Sequence, residues 1–203
     1  MNGNTKEIFG QMALRYDTED RIKIAAVISA KIRAELKETK AKTAVDYGCG
    51  TGLVGLALTD LFKSILFVDT APQMIAQTRE KIRKAPIDNA KTLCADFVQE
   101  PPHNLKTDIL FMTQVLLHVI EPDLLLKNIC HILNPGGRLL IVDFDKNERI
   151  VSDKVRNGFD QQSLTARLKE LGFASAESAT FYYGKKIFMN TDASLFFLQA
   201  LKE

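Results

Sequence analysis

Neither sign of charge is in excess in this chain: its 203 residues hold 27 Lys and Arg against 25 Asp and Glu, a formal net charge of +2. So close a balance argues against a broad basic surface for nucleic acid or an anionic membrane. Cysteine is scarce, and the three present (Cys49, Cys94, Cys130) form neither a CxxC pair nor an even set. That argues against a disulfide framework or a thiolate zinc site and points to a reducing, cytoplasmic setting. His103, His118 and His131 make no HxxxH pair, so no metal site is expected. No apolar run approaches the roughly 20 residues that span a bilayer, so no membrane span is expected. The opening MNGNTKEIFGQ lacks the basic and apolar regions of a secretion signal. Internal repeats and low-complexity tracts are also missing.

What is present is globular: 46% of residues are hydrophobic and 26% charged, in a length suited to one folding unit. Ala25, Ile28, Ile32 and Leu36 recur at helical spacing between Thr18 and about Lys37 and predict an amphipathic helix. Ala44 to Tyr47 reads as a buried strand running into GCGTGLVG, and Leu53 to Phe62 as a helix lying on a sheet. Ile65 to Asp69 is a second strand. The following Thr70-Ala71-Pro72-Gln73 predicts a helix to about Lys84, started by a Thr-x-x-Gln capping box. Ala90–Ala95, Asp108–Met112 and Arg138–Phe144 are further strands, with a helix from Pro122 to Leu133 closed by Asn134, Pro135 and two glycines. A helix from about Gln161 to Leu171 precedes a C-terminal hairpin of Ser175–Tyr183 and Ser194–Ala200, with about ten residues between the strands. Alternating strands and helices imply a parallel sheet that binds ligands beyond its strand C-termini.

The strongest chemical signal is Val45-Asp46-Tyr47-Gly48-Cys49-Gly50-Thr51-Gly52. Glycines at a strand-to-helix turn let a ligand approach the backbone without a Cβ in the way. Gly50, Gly52 and Gly55 also spell GxGxxG, with Asp69 nineteen residues beyond Gly50, which keeps a nicotinamide dinucleotide and an oxidoreductase in view. Asp46 weighs against that reading, because a carboxylate at this turn is expected to repel a pyrophosphate and attract a sulfonium or ammonium.

The stretch VDYGCGTG resembles the first motif of the class I S-adenosylmethionine-dependent methyltransferases, and the resemblance extends over most of the chain. It implies a Rossmann-like α/β fold: a mostly parallel seven-stranded sheet, helices on both faces and a C-terminal antiparallel hairpin. It implies S-adenosyl-L-methionine as cofactor, contacted by Asp46, Gly48, Gly50 and Gly52. Phe67 to Met74 is similar to the second-strand motif, giving Asp69 the ribose hydroxyls, with Thr70 and Met74 beside it. Cys94-Ala95-Asp96-Phe97 resembles the motif whose Asp accepts from the adenine amine while its neighbour packs the ring, implying those roles for Asp96 and Phe97. Leu133 to Leu140 resembles the turn and strand that close the parallel part of the sheet.

Within the family, the group most resembled is the small-molecule, quinone-biosynthesis-like one. Thr113-Gln114-Val115-Leu116-Leu117-His118-Val119 fits its segment after the fourth strand, placing Thr113 at the cofactor and His118 at its edge, with Leu117 where the first of two histidines is common. Asn157-Gly158-Phe159 fits a later segment, with Arg156 where a His often stands. The resemblance implies a single methyltransferase domain over 1–203: an N-terminal lid and helix (1–40), a cofactor-binding core (41–145), and a substrate-side helix with hairpin (146–203). The expected partner is a small-molecule methyl acceptor and not nucleic acid; the Arg79–Lys84 cluster, interrupted by Glu80, reads as a solvated face. His118 and Tyr16 are the candidates for catalysis, Tyr16 also for the methionine end of the cofactor. An imidazole suits a packed structural role as well as a base. A nucleoside-binding regulatory module without turnover is the alternative from another functional class, and a methyltransferase acting on nucleic acid or protein ranks behind it.

Overall fold

A computed structural model describes residues 11–36 and 42–203. Four α-helices are described: α1 (Glu19–Glu35), α2 (Pro72–Lys84), α3 (Pro122–Ile132) and α4 (Gln161–Glu170). The seven strands are β1 (Thr43–Tyr47), β2 (Ser64–Asp69), β3 (Ala90–Cys94), β4 (Thr107–Thr113), β5 (Leu133–Phe144), β6 (Phe173–Phe188) and β7 (Thr191–Lys202). They form one sheet in the order β3-β2-β1-β4-β5-β7-β6, parallel from β3 to β5, with β7 antiparallel to β5 and to β6. The order reverses between β1 and β4, where a crevice opens at the strand C-termini.

The central strands are apolar on both sides because helices cover both faces. Val45, Tyr47, Leu110 and Met112 pack with α3 and α4 on one face. Ala44, Ile65, Ile109 and Phe111 pack with Ile28 and Ile32 of α1 on the other. Helix α1 begins at the predicted Thr18, whose Oγ1 accepts from Arg21 N–H at 3.4 Å, and it carries the Ala25-Ile28-Ile32 stripe inward.

Four local expectations need correction. The segment after the glycines is a 3-10 helix over Gly55–Leu61, with Ala57 N–H donating to Val54 O at 3.1 Å. A 3-10 helix rises about 2.0 Å per residue against 1.5 Å for an α-helix, so a short crossover returns further along β1 for its length. The capping box at Thr70 does not form: Ala71 is the N-cap of α2, without a side-chain cap bond, and the carboxylate of Asp69 takes the Ala71 N–H instead, at 2.8 Å. Asn134 to Gly137 does not separate helix from strand; it bulges within β5, whose Leu133 already pairs with Thr107. Finally, the ten residues expected to connect the last two strands are mostly strand. The turn is Met189-Asn190, both left-handed (φ 48° and 60°), as a two-residue hairpin turn requires. Lys186 is also left-handed, beside a register shift between Gly184 and Phe188.

Of the N-terminal segment assigned to a lid, residues 1–10 lie outside the described residues. Ala13 is buried and Leu14 exposed. No helix among the described residues is long and apolar enough to cross a membrane.

Candidate functional site

The turn after β1 is built from backbone. Gly48 and Cys49 N–H both donate to Val68 O of β2, at 2.7 and 2.9 Å, and Gly50 N–H donates to Asp69 Oδ2 at 2.9 Å. Helix α2 holds the turn's carbonyls: Thr78 Oγ1 donates to Gly50 O at 2.9 Å and Lys81 Nζ to Thr51 O at 2.8 Å. Gly48, Gly50 and Gly52 are all left-handed, but the reasons for glycine differ. At Gly48 and Gly52 a Cβ would strike Val115 and Leu56. At Gly50 it would make only an ordinary contact with the Tyr16 ring, at 3.7 Å, beside a cavity of about 80 Å³. Gly50 is thus held to glycine by its left-handed backbone and presents an uncrowded face to the cavity.

The structure brings Tyr16, Gly48, Gly50 and Thr113 together around that cavity. Asp69 closes β2 beside it, buried, with one oxygen on Gly50 N–H and the other on Ala71 N–H. Burial raises its pKa and the backbone donors oppose the rise. Thr70 and Met74 are buried, and Met74 packs with Ala71 and Ala13 under Tyr16. Asp96 follows β3 and accepts from Val98 N–H at 3.0 Å and from Tyr47 Oη–H at 3.4 Å.

Three sequence-derived placements fail. Asp46 is buried behind the turn and does not line the cavity; it lies against Gly55, where an added Cβ would fall on its Oδ2. Burial, reinforced by the nearby Asp69 charge and opposed by the Gly55 backbone N–H, raises its pKa well above its ordinary value. Because Asp46 is buried and absent from the cavity wall, it does not make the direct ligand contact assigned to it. It also accounts for the third glycine of GxGxxG: a Cβ on Gly55 would collide with Asp46 and with Phe67. Phe97 is wholly buried, 4.8 Å centroid to centroid from Tyr47, with its N–H on Tyr47 Oη at 3.2 Å. Its ring belongs to the core, not to a ligand face. His118 lines a different cavity, across the segment that follows β4.

Sequence reasoning missed other residues at the site. Arg21 lines the cavity, 4.1 Å above the Tyr16 ring, and donates to Tyr16 O at 3.0 Å. A cation in the first turn of α1 opposes the helix dipole, and that was the available signal. Asp17 Oδ1 accepts from Thr51 Oγ1–H at 2.5 Å, and its Oδ2 pairs with Lys81 Nζ at 2.6 Å. This clasp ties the segment before α1 to the glycine turn and α2. Burial raises the pKa of Tyr16, with the Arg21 charge opposing, so its phenol is neutral near pH 7. Gln114 lines the cavity with φ 55° and its N–H on Val142 O at 2.7 Å. A left-handed, non-glycine residue at a switch point is backbone strain at a ligand site, and nothing in residue preference marks it.

A sheet of this order, with a glycine turn at its switch point and an acidic residue ending the next strand, is the Rossmann-like α/β class I methyltransferase fold. The chain belongs to the methyltransferase-domain family, whose profile matches residues 38–190. It is similar to a ubiquinone biosynthesis O-methyltransferase of Marinobacter nauticus, 26% identical over 110 residues, covering 53% of this chain and 46% of that protein. The chain spans about half the length of the curated relatives it matches. Among solved structures it resembles a methyltransferase of Haloferax volcanii, described in complex with the Trm112 activator. The TM-score there is 0.75 at 20% identity, covering 98% of this chain and 97% of that one. It also resembles a SAM-dependent methyltransferase of Aquifex aeolicus, with TM-score 0.71 at 18% identity, covering 96% and 98%. At such identities these structures establish the fold.

Proposed function

We propose that the chain transfers the methyl group of S-adenosylmethionine to a small-molecule acceptor. The observation that carries this reading is Gly50, left-handed, held by Asp69 and facing the cavity across from Tyr16. The surrounding residues suit the cofactor. Asp69 retains acceptor capacity beyond its backbone bonds for a ribose diol, Asp96 stands just after β3 as the acceptor assigned to an adenine amine, and the Arg21 guanidinium suits an amino-acid carboxylate. Phe97 serves only from beneath, by fixing the Tyr47 that supports Asp96.

When bound, the cofactor supplies a methyl carbon activated by its positively charged sulfur, for in-line displacement by an acceptor lone pair with the C–S electron pair leaving on sulfur as S-adenosylhomocysteine. The chain's part is to orient and to exclude water. A cavity of about 80 Å³ is small beside the roughly 300 Å³ that a drug-sized ligand needs. The segment through Ala13, Tyr16 and Asp17 packs on Ala71, Met74 and Thr51, and its lifting and reclosing as a lid would admit the cofactor. His118, its pKa pulled down by burial to about 4, is neutral near pH 7 and too weak a base to hold a proton there, so its part is to orient the acceptor through a ring nitrogen. A place in the quinone-biosynthesis-like group, a cytoplasmic setting and a single domain over 1–203 complete the proposal. The group assignment draws support from the curated O-methyltransferase relatives.

Incubating the protein with methyl-tritiated S-adenosylmethionine and three fractions of a cell extract tests this reading. Label is expected in the small-molecule fraction. Label confined to RNA or protein overturns the acceptor class, and cofactor binding without transfer to any fraction favours a regulatory module.

A further inference from the structure

The larger cavity at this edge of the sheet, about 320 Å³, lies between the 3-10 turn Leu116–His118 and residues 152–156 after β5. Both walls are fixed. Asp143, wholly buried at the end of β5, accepts from Leu117 N–H at 3.3 Å and from Phe144 N–H at 2.9 Å. Arg156 N–H donates to Leu117 O at 3.0 Å and its Nη2 to Ile120 O at 3.1 Å. The loop returns to β5 through Lys146 N–H on Phe159 O and Asn147 N–H on Asn157 O, at 2.9 and 2.8 Å. The cavity adjoins the glycine-turn site: Thr113 and Gln114 line one, Leu117 and His118 the other. Leu117 also belongs to the buried cluster of Ala25, Ile28 and Val54, which line the first.

The lining has two characters. Leu117, Val119, Ile120 and Val155 make an apolar wall, with Ile120 55% exposed at the rim. Lys154 and Arg156 bring two cations against the single carboxylate of Asp153. We infer that this cavity holds the methyl acceptor, and that the acceptor is a small amphipathic acid. Its apolar or aromatic body lies on the Leu117–Ile120 wall and its anionic group at Lys154 and Arg156. A cationic amine would gain the same apolar contact but meet both positive charges. The inference rests on the methyl-transfer reading for the word acceptor; the charge preference rests on the cavity alone.

The test uses three isosteric probes on the full chain: 2-naphthoate, 2-naphthylmethanol and 2-naphthylmethylamine. It follows histidine ring resonances by NMR, assigned with His118→Gln. His103 and His131 line a separate cavity with Pro101 and Lys106 and serve as internal controls. Naphthoate should shift His118 alone and bind about three- to five-fold more tightly than the alcohol, the amine binding weakest, as expected of a partly exposed charge pair. Lys154→Ala, at an exposed position, should reduce the naphthoate preference without weakening the alcohol; Arg156→Gln should do the same, but it also removes the bonds its guanidinium donates to Val119 O and Ile120 O. Equal binding of the three probes, or shifts at His103 and His131 in place of His118, overturns the inference. S-adenosylhomocysteine is titrated into the same samples. Naphthoate selectivity without S-adenosylhomocysteine binding sinks the methyl-transfer reading and leaves the charge preference standing, whereas S-adenosylhomocysteine binding without selectivity sinks the acceptor assignment alone.

Discussion

The two cavities flanking the segment after β4 are made of different material. Around the glycine turn the shape is set by backbone: left-handed glycines, N–H groups fastened to Val68 and Asp69, carbonyls taken by Thr78 and Lys81. Around His118 the shape is set by apolar side chains and by a loop tied back across long sequence separations. A backbone-built site tolerates almost no added volume and places its donors rigidly. A side-chain-built site changes specificity through single substitutions while the fold persists. The cofactor end is therefore expected to be intolerant and the other end adaptable.

The largest effect that sharpens this contrast is Gly55→Ala. Its Cβ would overlap Asp46 and stand 2.5 Å from Phe67 Cε1, so urea denaturation should show a loss on the order of 3 kcal/mol. Ile120→Ala, at the half-exposed rim of the other cavity, should cost within about 0.5 kcal/mol. Comparable losses at both positions would erase the distinction.

Next is Asp69→Ala. Removing a carboxylate that binds Gly50 and Ala71 N–H, and is placed for the ribose, should weaken S-adenosylhomocysteine by about 1.5 to 3 kcal/mol in calorimetry. Unchanged affinity would make Asp69 a purely structural brace.

The third effect is on the pH dependence of stability. Burial lowers the His118 pKa from 6.5 to about 4, so between those values the unfolded chain binds the extra proton. Stability from the neutral imidazole is complete above about pH 6.5 and is lost as pH falls towards 4. By pH 5 the wild type should have lost about 2 kcal/mol that His118→Gln keeps. Parallel pH profiles for the two proteins would place His118 in solvent.

The smallest concerns the lid. Asp17→Asn weakens the clasp to Lys81 and Thr51, a partly exposed pair whose loss should cost less than about 1 kcal/mol. Association and dissociation rates of S-adenosylhomocysteine in stopped flow should both rise, about two- to five-fold. If neither rate moves, the segment is an ordinary packed surface.

The same contrast explains what the sequence made legible. Strands β1, β2 and β4, helices α1 to α4 and the glycine turn announce themselves through apolar periodicity and breakers, which are local signals. Asp46 misled because its place at the glycine turn was read as facing the ligand, whereas it is buried against Gly55 and Phe67. Phe97 misled because a ring beside a ligand motif and a ring in the core have the same spelling. The last hairpin was expected, but the full length of its strands was hidden by Gly184, Lys185 and Lys186, poor strand formers that the long β6–β7 pairing overrides. Arg21, Gln114 and the Asp17 clasp meet the glycine turn only through tertiary packing. The cavity at His118 depends on Arg156 reaching Leu117, a pairing that no local pattern encodes.

The most direct test of the central claim is side-by-side calorimetric titration of the full chain with S-adenosylmethionine, S-adenosylhomocysteine and NAD. The account predicts that both adenosyl compounds bind more tightly than NAD and that Asp69→Ala weakens them. NAD binding as tightly as either compound, or more so, would contradict it.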